Sequence, residues 1–565
     1  MNDKTTTYTA PLVVLDAPAG VLVAHRPDVQ RVEVPAEVTD LASAAEWALA
    51  CGLGAAPLSQ YGESTGPLLV LTASAVEALG LPAVLEDRKR LRVEDGHPAV
   101  KALEGTGWSA SRAGLGPWTF LYREREEAHF AVVPWGCFSD HRWMDMDALA
   151  DQPGALAYAL GQYAERVISP TGSTAACGLA LMTALRPPTR LVFDRGSRRM
   201  QRVPVPGSLS APVDPAPPEA PAEHPLAADR TRDQHQDPAH VLAEEALAWF
   251  REPTAAEAAM PHVVGLDINV AFLAAASRLP VGLDAPEYTD GPRFDKKIQG
   301  SWLVDLSGAV LRTKDGTELP AEFPSPFTPD GRPPAGPAWY ATPTLAYALE
   351  LGVEVRPLAG WLRPTAGGYL DLWHYRLRDA YMATLADLGI TDGMDEGEFL
   401  AAMATVKERD PEAVAVLSAI KQTAKGGLGK MRERPQGKRE GRNAPWAALT
   451  RPTWRPDIRA AVISAARVGA HRKMVKTWVA TGRVPLAVLS DCVVYASQYP
   501  TARAVVPRKE DGRTPLPGGF RIGPNPGYVK EEGTRPMEWY RDLVGNKLNP
   551  ARFIKPGRDA AREGE

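Results

Sequence analysis

Nine prolines fall within the 36 residues from Val203 to Pro238. No regular helix or central strand can run through a stretch so often deprived of its backbone N–H. The stretch is also acidic and poor in aromatics, which predicts an extended, solvated linker over 191–240. With 565 residues, the chain is long enough for two to four domains at about 100–200 residues each. Upstream, 10–190 reads as mixed α/β: PLVVLDAPAGVLVAHR (11–26) predicts two short strands about a turn, HFAVVPWG (129–136) another, and DLASAAEWALACG (40–52) a helix stopping at Gly52. Downstream, 241–555 forms a second folded region, and 556–565 is a polar tail. Composition, with 44% apolar and 23% charged residues, excludes disorder or a coiled coil for the whole chain. No apolar run reaches the roughly 18–20 residues of a membrane span, and the first residues lack a signal-peptide pattern, so a soluble, cytoplasmic protein with no membrane partner is expected. The four cysteines (Cys51, Cys137, Cys177, Cys492) have neither disulfide-framework nor zinc spacing.

The net charge of −4 conceals its distribution. Lys421 to Lys476 holds 15 Lys or Arg against three acids (Glu433, Glu440, Asp457). That is +12, leaving −16 for the remainder. A basic island interleaved with Trp446, Trp454 and Trp478 predicts a phosphate-binding surface with platforms for base stacking. Arg432, Arg434, Lys438 and Arg439 are its candidate DNA contacts.

Three spacings carry candidate chemistry. In HVVGLDINVAFLAAASRLP (262–280) an apolar strand ends at Asp267 and helical periodicity follows, with Val270, Phe272 and Leu273 on one face. A carboxylate at a strand end suits a hard cation; the plainer alternative, favoured when the segment is taken alone, is helix capping by Asp267 or Asn269. In KQTAKGGLGK (421–430) Lys421 stands on a helix expected to close in Gly426, Gly427 and Gly429. That would set Lys421, Lys425 and Lys430 beside flexible backbone suited to a triphosphate or a templating base; the plain alternative is a glycine C-cap. In PLAVLSDCVVYAS (485–497) two apolar runs flank Ser490–Asp491, a hairpin pattern with an acid near its apex or an ordinary turn aspartate.

The order of these three segments resembles family B DNA polymerases, whose motifs A, B and C read D-x-x-S-L-Y, K-x-x-x-N-S-x-Y-G and D-T-D-S. Asp267-Ile268-Asn269-Val270-Ala271-Phe272 resembles motif A, Lys421 to Gly429 motif B, and Leu489-Ser490-Asp491-Cys492 motif C. The departures are Leu489 for the first aspartate of motif C, Lys425 and Gly426 for Asn-Ser, and Leu428 for tyrosine. The resemblance implies a palm, fingers and thumb region in 241–555. Asp267 and Asp491 would be metal ligands and catalytic with Lys421, and the cofactor would be Mg²⁺ or Mn²⁺ if the site is active and none otherwise. Phe272 would pack on the nucleotide sugar. GYVKEEG (527–533) nominates Lys530 for the primer terminus, and the helix-like 459–476 nominates Arg467. The same family implies that 10–190 is a degenerate exonuclease-like domain without activity: Asp16-Ala17-Pro18 stands for the first-strand Asp-x-Glu, and Tyr158 is followed by Gln162 where an acid belongs.

Longer phrases, among them GPLLVLTASAVEALGLPA (66–83), SPTGSTAACGLALMTALRPPTR (169–190), PAWYATPT (337–344), TWRPDIRAAVIS (453–464) and LSDCVVYA (489–496), resemble the telomere-associated proteins of linear bacterial chromosomes and plasmids. That resemblance implies binding to the single-stranded 3′ overhang at a DNA end, recruitment of the telomere terminal protein, and a nucleoid-associated place in the cell. It also implies that an N-terminal helix-turn-helix region known in the family lies outside this sequence. The alternative is an active polymerase of family B type, a family whose protein-primed members attack from a protein side chain. The acidic remainder of the chain would suit a basic terminal protein.

Overall fold

A computed structural model gives the architecture. It describes residues 10–555 apart from 63–65, 83–92, 94–95, 104, 111–114, 117, 124–127, 134–137, 139–142, 144 and 436–445. The protein is mixed α/β and divides into two compact units. The first gathers Met1–Val205, Arg376–Gly389 and Thr405–Lys430; the second gathers Pro206–Tyr375, Ile390–Ala404 and Met431–Glu565.

The first unit carries β1 (Leu12–Asp16), β2 (Val23–His25), β3 (Arg31–Glu33), β4 (Leu68–Leu71), β5 (Ser109–Ala110), β6 (Thr119–Arg123) and β7 (Ala128–Val133) in one sheet, ordered β3-β2-β1-β4-β7-β6-β5. β1 pairs with β4, and β4 with β7, in parallel. Strands so placed are covered on both faces, which is why Leu12–Leu15 and Leu68–Leu71 are unbroken apolar runs, all buried. The helix Leu41–Ala50 starts where the sequence predicts. Asp40 accepts from the Ser43 N–H at 2.8 Å, and the Ser43 hydroxyl accepts from the Asp40 N–H at 3.1 Å, closing a capping box. Beyond the sheet, β8 (Thr189–Asp194) and β9 (Arg199–Pro204) make a separate two-stranded ribbon.

The glycines of 426–429 do not end a helix. The helix Pro411–Lys430 runs straight through them and packs against the helix Thr174–Leu185. A Cβ on Gly427 would sit 3.0 Å from the Gly178 Cα, one on Gly178 2.3 Å from the Thr423 carbonyl oxygen, and one on Gly426 2.6 Å from the Ala175 Cβ. The glycines let two backbones touch; they do not supply flexibility. The Tyr163 hydroxyl meets the Thr423 hydroxyl at 2.7 Å beside this crossing, both side chains buried. Gly178→Ala therefore forces backbone against backbone and should destabilise by about 1–3 kcal/mol, the range of overpacked cores. Urea denaturation checks it, with Gly429→Ala, where nothing lies within 4 Å, as the tolerated control.

The second unit holds β10 (Ala248–Phe250), β11 (His262–Ile268), β12 (Val281–Gly282), β13 (Glu287–Asp290), β14 (Gln299–Asp305), β15 (Pro337–Ala341), β16 (Pro357–Arg363), β17 (Ala366–Gly367), β18 (Ala487–Leu489), β19 (Cys492–Ser497) and β20 (Val529–Pro536). They form a five-stranded antiparallel sheet β10-β18-β19-β11-β20, a four-stranded sheet β13-β16-β14-β15 and the short pair β12-β17. The four-stranded sheet buries Trp302, Val304 and Tyr340 against Leu345 and Ala348 of the helix Thr342–Glu350 and Val468 of the long helix Pro456–Thr481.

The proline-rich segment is not a solvated tether. β8 and β9 occupy its first part, and from Pro206 onward it belongs to the second unit. Pro215, Ala216, Pro218, Glu219, Ala220 and Pro221 are buried. The ring of His224 stacks on Trp454 at 5.3 Å, and the Leu242 N–H donates to the Pro218 carbonyl at 2.7 Å. A proline has no N–H to satisfy, so a chain rich in it can lie inside the fold with few donors left over. Polarity in the linear sequence misrepresented this segment because its acid Glu219 is spent inside, on Arg363.

Candidate nucleotide and DNA site

β11 is built to end in a charge. Val263, Val264 and Leu266 are buried, and Asp267 emerges where the apolar cover stops. The chain then breaks sharply: Val270 takes a left-handed conformation (φ 41°), rare for a β-branched residue, before the helix Ala271–Ala276. The buried Asn269 holds this break, its backbone N–H donating to the Tyr528 carbonyl at 2.8 Å and its side-chain amide to the Gly523 carbonyl at 2.7 Å. Asn269 is thus the residue that fixes the turn, while Phe272 is half-buried on the short helix.

The predicted hairpin is present. Leu489 pairs with Cys492, so Ser490 and Asp491 form a two-residue turn, with Ser490 left-handed (φ 56°). β19 lies beside β11 with Cys492 directly opposite Asp267, and the Ile268 N–H donates to the Asp491 carbonyl at 3.0 Å. On the other side of β11, Lys530 of β20 is directly opposite Asp267. Residues directly opposite one another share a face, so Cys492, Asp267 and Lys530 form one row across three strands. The Lys530 ammonium is ion-paired with the Asp267 carboxylate.

Glu532 joins this row through a bulge. Gly265 pairs with Gly533 and Leu266 with Glu531, which leaves Glu532 as the extra residue of β20. Its carboxylate lies 3.7 Å from Lys530 and 3.9 Å from Lys555. Burial first, then the negative charges of Glu532 and Asp491, push the Cys492 thiol well above its ordinary range. Three acids and two lysines thus surround one end of the sheet. Glu532 and Lys555 went unnoticed in the sequence, and the only available signal was the EEG that follows Lys530. Asp267 and Asp491 are oxygen donors suited to a hard divalent cation. Lys530 already occupies the Asp267 carboxylate, and among the described residues no three His, Cys, Asp or Glu side chains group to hold a metal.

The other nominated residues are distributed differently. Lys421, Lys425, Gly426, Gly429 and Lys430 belong to the first unit, on the helix Pro411–Lys430. Arg467 is buried: its guanidinium is ion-paired with Glu244 and donates to the Glu245 carbonyl at 2.7 Å. With its side chain 1% exposed, the guanidinium is out of reach of a phosphate. Lys438 and Arg439 lie outside the described residues. Asp16, at the end of β1, accepts from Ser74 at 2.6 Å and Thr72 at 2.8 Å. Burial alone would raise its pKa, but these bonds hold it low, and they tie β1 to the residues after β4. Tyr158 is exposed and Gln162 half-buried on the helix Pro153–Arg166.

Part of the basic island is neutralised in three dimensions. Arg432 and Arg459 pair with Glu245 at 3.3 and 2.9 Å, Arg434 with Glu223 at 3.4 Å, and Arg472 with Glu350 at 2.8 Å. Inside the window, Arg451 pairs with Glu433 and Arg455 with Asp457. The acids absent from the linear window come from elsewhere in the chain. The tryptophans do not form an open stacking surface either. Trp454 is buried with its indole N–H on the Glu433 carbonyl at 3.1 Å, Trp446 packs edge-on against it, and Trp478 lies edge-on to Phe323.

No helix among the described residues is long and apolar enough to cross a membrane. No curated protein matches the chain. Residues 13–173 match a family described as a domain of unknown function, DUF8841. Among solved structures, the chain is similar to phi29 DNA polymerase complexed with primer–template DNA and incoming nucleotide substrates, at 10% identity and a TM-score of 0.43 over 93% of this chain and 85% of that one. It is similar too to the same polymerase complexed with primer–template DNA, at 10% identity and a TM-score of 0.39 over 93% of this chain and 84% of that one.

Proposed function

We propose that the protein binds the unpaired 3′ overhang of a linear DNA end at the charged end of the β19-β11-β20 strands and there recruits the terminal protein. What supports this reading is one alignment. Asp267, Asp491 and Lys530, nominated from separate stretches of sequence, fall on or beside three neighbouring strands. Lys530 and Lys555 are cations at that end whose side chains, unlike that of Arg467, stay partly exposed beside their acids. The clasp of Lys530 on Asp267 favours holding a DNA end over extending it, because the acid most needed for metal is already neutralised by the chain itself.

The adjacency of Asp267 and Asp491 favours a second reading, an active nucleotidyltransferase. Mg²⁺ or Mn²⁺ on that pair would supply two-metal activation of the attacking oxygen and the triphosphate. In that reading Lys421 neutralises the triphosphate and Phe272 packs on the sugar. The separating experiment measures dNMP addition to a primer or to the terminal protein with either metal, alongside a gel shift with an overhang oligonucleotide. The end-holding reading expects a shift by wild type and by Asp491→Ala, and no addition by either. Addition by wild type that Asp491→Ala abolishes establishes the polymerase instead. Lys530→Ala should weaken the overhang complex and lower its salt slope by about 0.7, the loss of one single-strand phosphate contact.

A further inference from the structure

The β8–β9 ribbon, expected to be part of a linker, is an ordered element with an unusual surface. Phe193 faces Met200, and Leu191 faces Arg202, so these four side chains share one face. Phe193, Met200 and Leu191 are 56%, 56% and 55% exposed. An isolated two-stranded ribbon is only marginally stable by itself, and grouping three large apolar side chains in water on it has no structural return. The ribbon is fixed from its other face, where the Arg190 guanidinium lies 4.9 Å above the Tyr61 ring. Its turn is also fixed: Asp194 accepts from the Gly196 and Ser197 N–H groups at 3.1 Å each and from Gln201 at 2.9 Å. Asp194 is the only acid between Arg186 and Val205, a stretch with six arginines, and those bonds occupy it. Among the described residues, Arg195, Arg198, Arg199 and Arg202 pair with no acid.

We propose that this ribbon binds single-stranded nucleic acid, with Phe193 and Met200 stacking on unpaired bases and the four arginines holding phosphates. Charge complementarity selects a polyanion, and the exposed ring with its apolar neighbours selects one whose base faces are open. A duplex hides those faces in its own stack. The proposal deepens the reading above and rests on it for the class of ligand, but it uses none of the same residues.

The test uses the full-length protein and a fluorescein-labelled oligo(dT), followed by anisotropy across a salt series. Phe193→Ala with Met200→Ala should weaken binding about tenfold with the salt slope unchanged, since stacking carries no counterions. Changing Arg195, Arg198, Arg199 and Arg202 together to Ser should lower the slope by about three. All six side chains are exposed, and circular dichroism is the check that the variants fold. If both variants bind like wild type while Lys530→Ala binds more weakly, the ribbon proposal fails and the end-holding reading stands. If wild type binds no oligo(dT), both fail. If polyglutamate displaces the oligonucleotide as readily as unlabelled oligo(dT) does, the ribbon is a surface for acidic proteins and the proposal is overturned.

Discussion

Glu219→Leu should destabilise the protein by about 3–5 kcal/mol, the cost of leaving a buried guanidinium without its partner. Glu219 and Arg363 have side chains 0% and 1% exposed and make two parallel bonds of 2.8 and 2.6 Å. Asp457 also faces Arg363, at 3.2 Å, and is held from its other side by Arg455 at 2.6 Å. Burial works against the charge on Arg363, but Asp457 and Glu219 outweigh it and raise its pKa. The result is a neutral set of two acids and two arginines that locks the proline-rich segment onto β16 and the start of the helix Pro456–Thr481. Removing one acid leaves a net buried cation. Glu219→Leu combined with Arg363→Met removes the charge as well and should recover most of the loss. Urea denaturation of the wild type, both single variants and the double variant measures the coupling. A double variant no better than Glu219→Leu would show that the segment's packing, and not its charge balance, was lost.

The second large effect is a loss of stability in mild acid through His471. The ring is fully enclosed in the helix Pro456–Thr481. Its Nε2 lies 3.0 Å from the Pro324 carbonyl, which can only accept, so Nε2 carries the proton and Nδ1 accepts from the Tyr347 hydroxyl at 2.8 Å. Burial, followed by the nearby charges of Arg467 and Arg472, brings its pKa down to about 4, although the bond to Pro324 pulls the other way. Unfolded, the same ring titrates near 6.5. Between these values the unfolded chain binds the extra proton, so stability rises with pH in this window. The contribution is complete above about 6.5 and is lost as pH falls toward 4, amounting to about 3 kcal/mol. His471→Gln removes the titration. Its stability should therefore change less than that of wild type between pH 7.5 and 4.5 in matched urea titrations, and equal slopes would contradict the assignment.

Features with a local cause were legible in the sequence. The strands 12–16 and 23–25, the helix that begins after Asp40 and the hairpin turn at Ser490–Asp491 each follow from a few adjacent residues. The same holds for Asp267 at a strand end. What the sequence obscured depends on partners far along the chain. Gly427 resembles a helix terminator until Gly178 is seen against it. Arg467 reads as a DNA contact until Glu244 is found beside it. The charge of 421–476 looks unopposed because Glu223, Glu245 and Glu350 lie outside that window. Glu532 was hidden for another reason: a bulge shifts the alternation by one residue, and nothing in the periodicity of β20 marks where it falls.

The central claim, that an unpaired DNA end is held at the Asp267–Lys530 end of the sheet, is tested most directly by the binding of a duplex with a 3′ overhang against the same duplex made blunt. Anisotropy is read from about 50 to 200 mM salt, the range in which phosphate contacts dominate affinity. The overhang duplex should bind more tightly than the blunt one throughout, weakening steadily with salt, and more so for wild type than for Lys530→Ala. Equal affinity for the two ends, or no binding at the lowest salt, would contradict it.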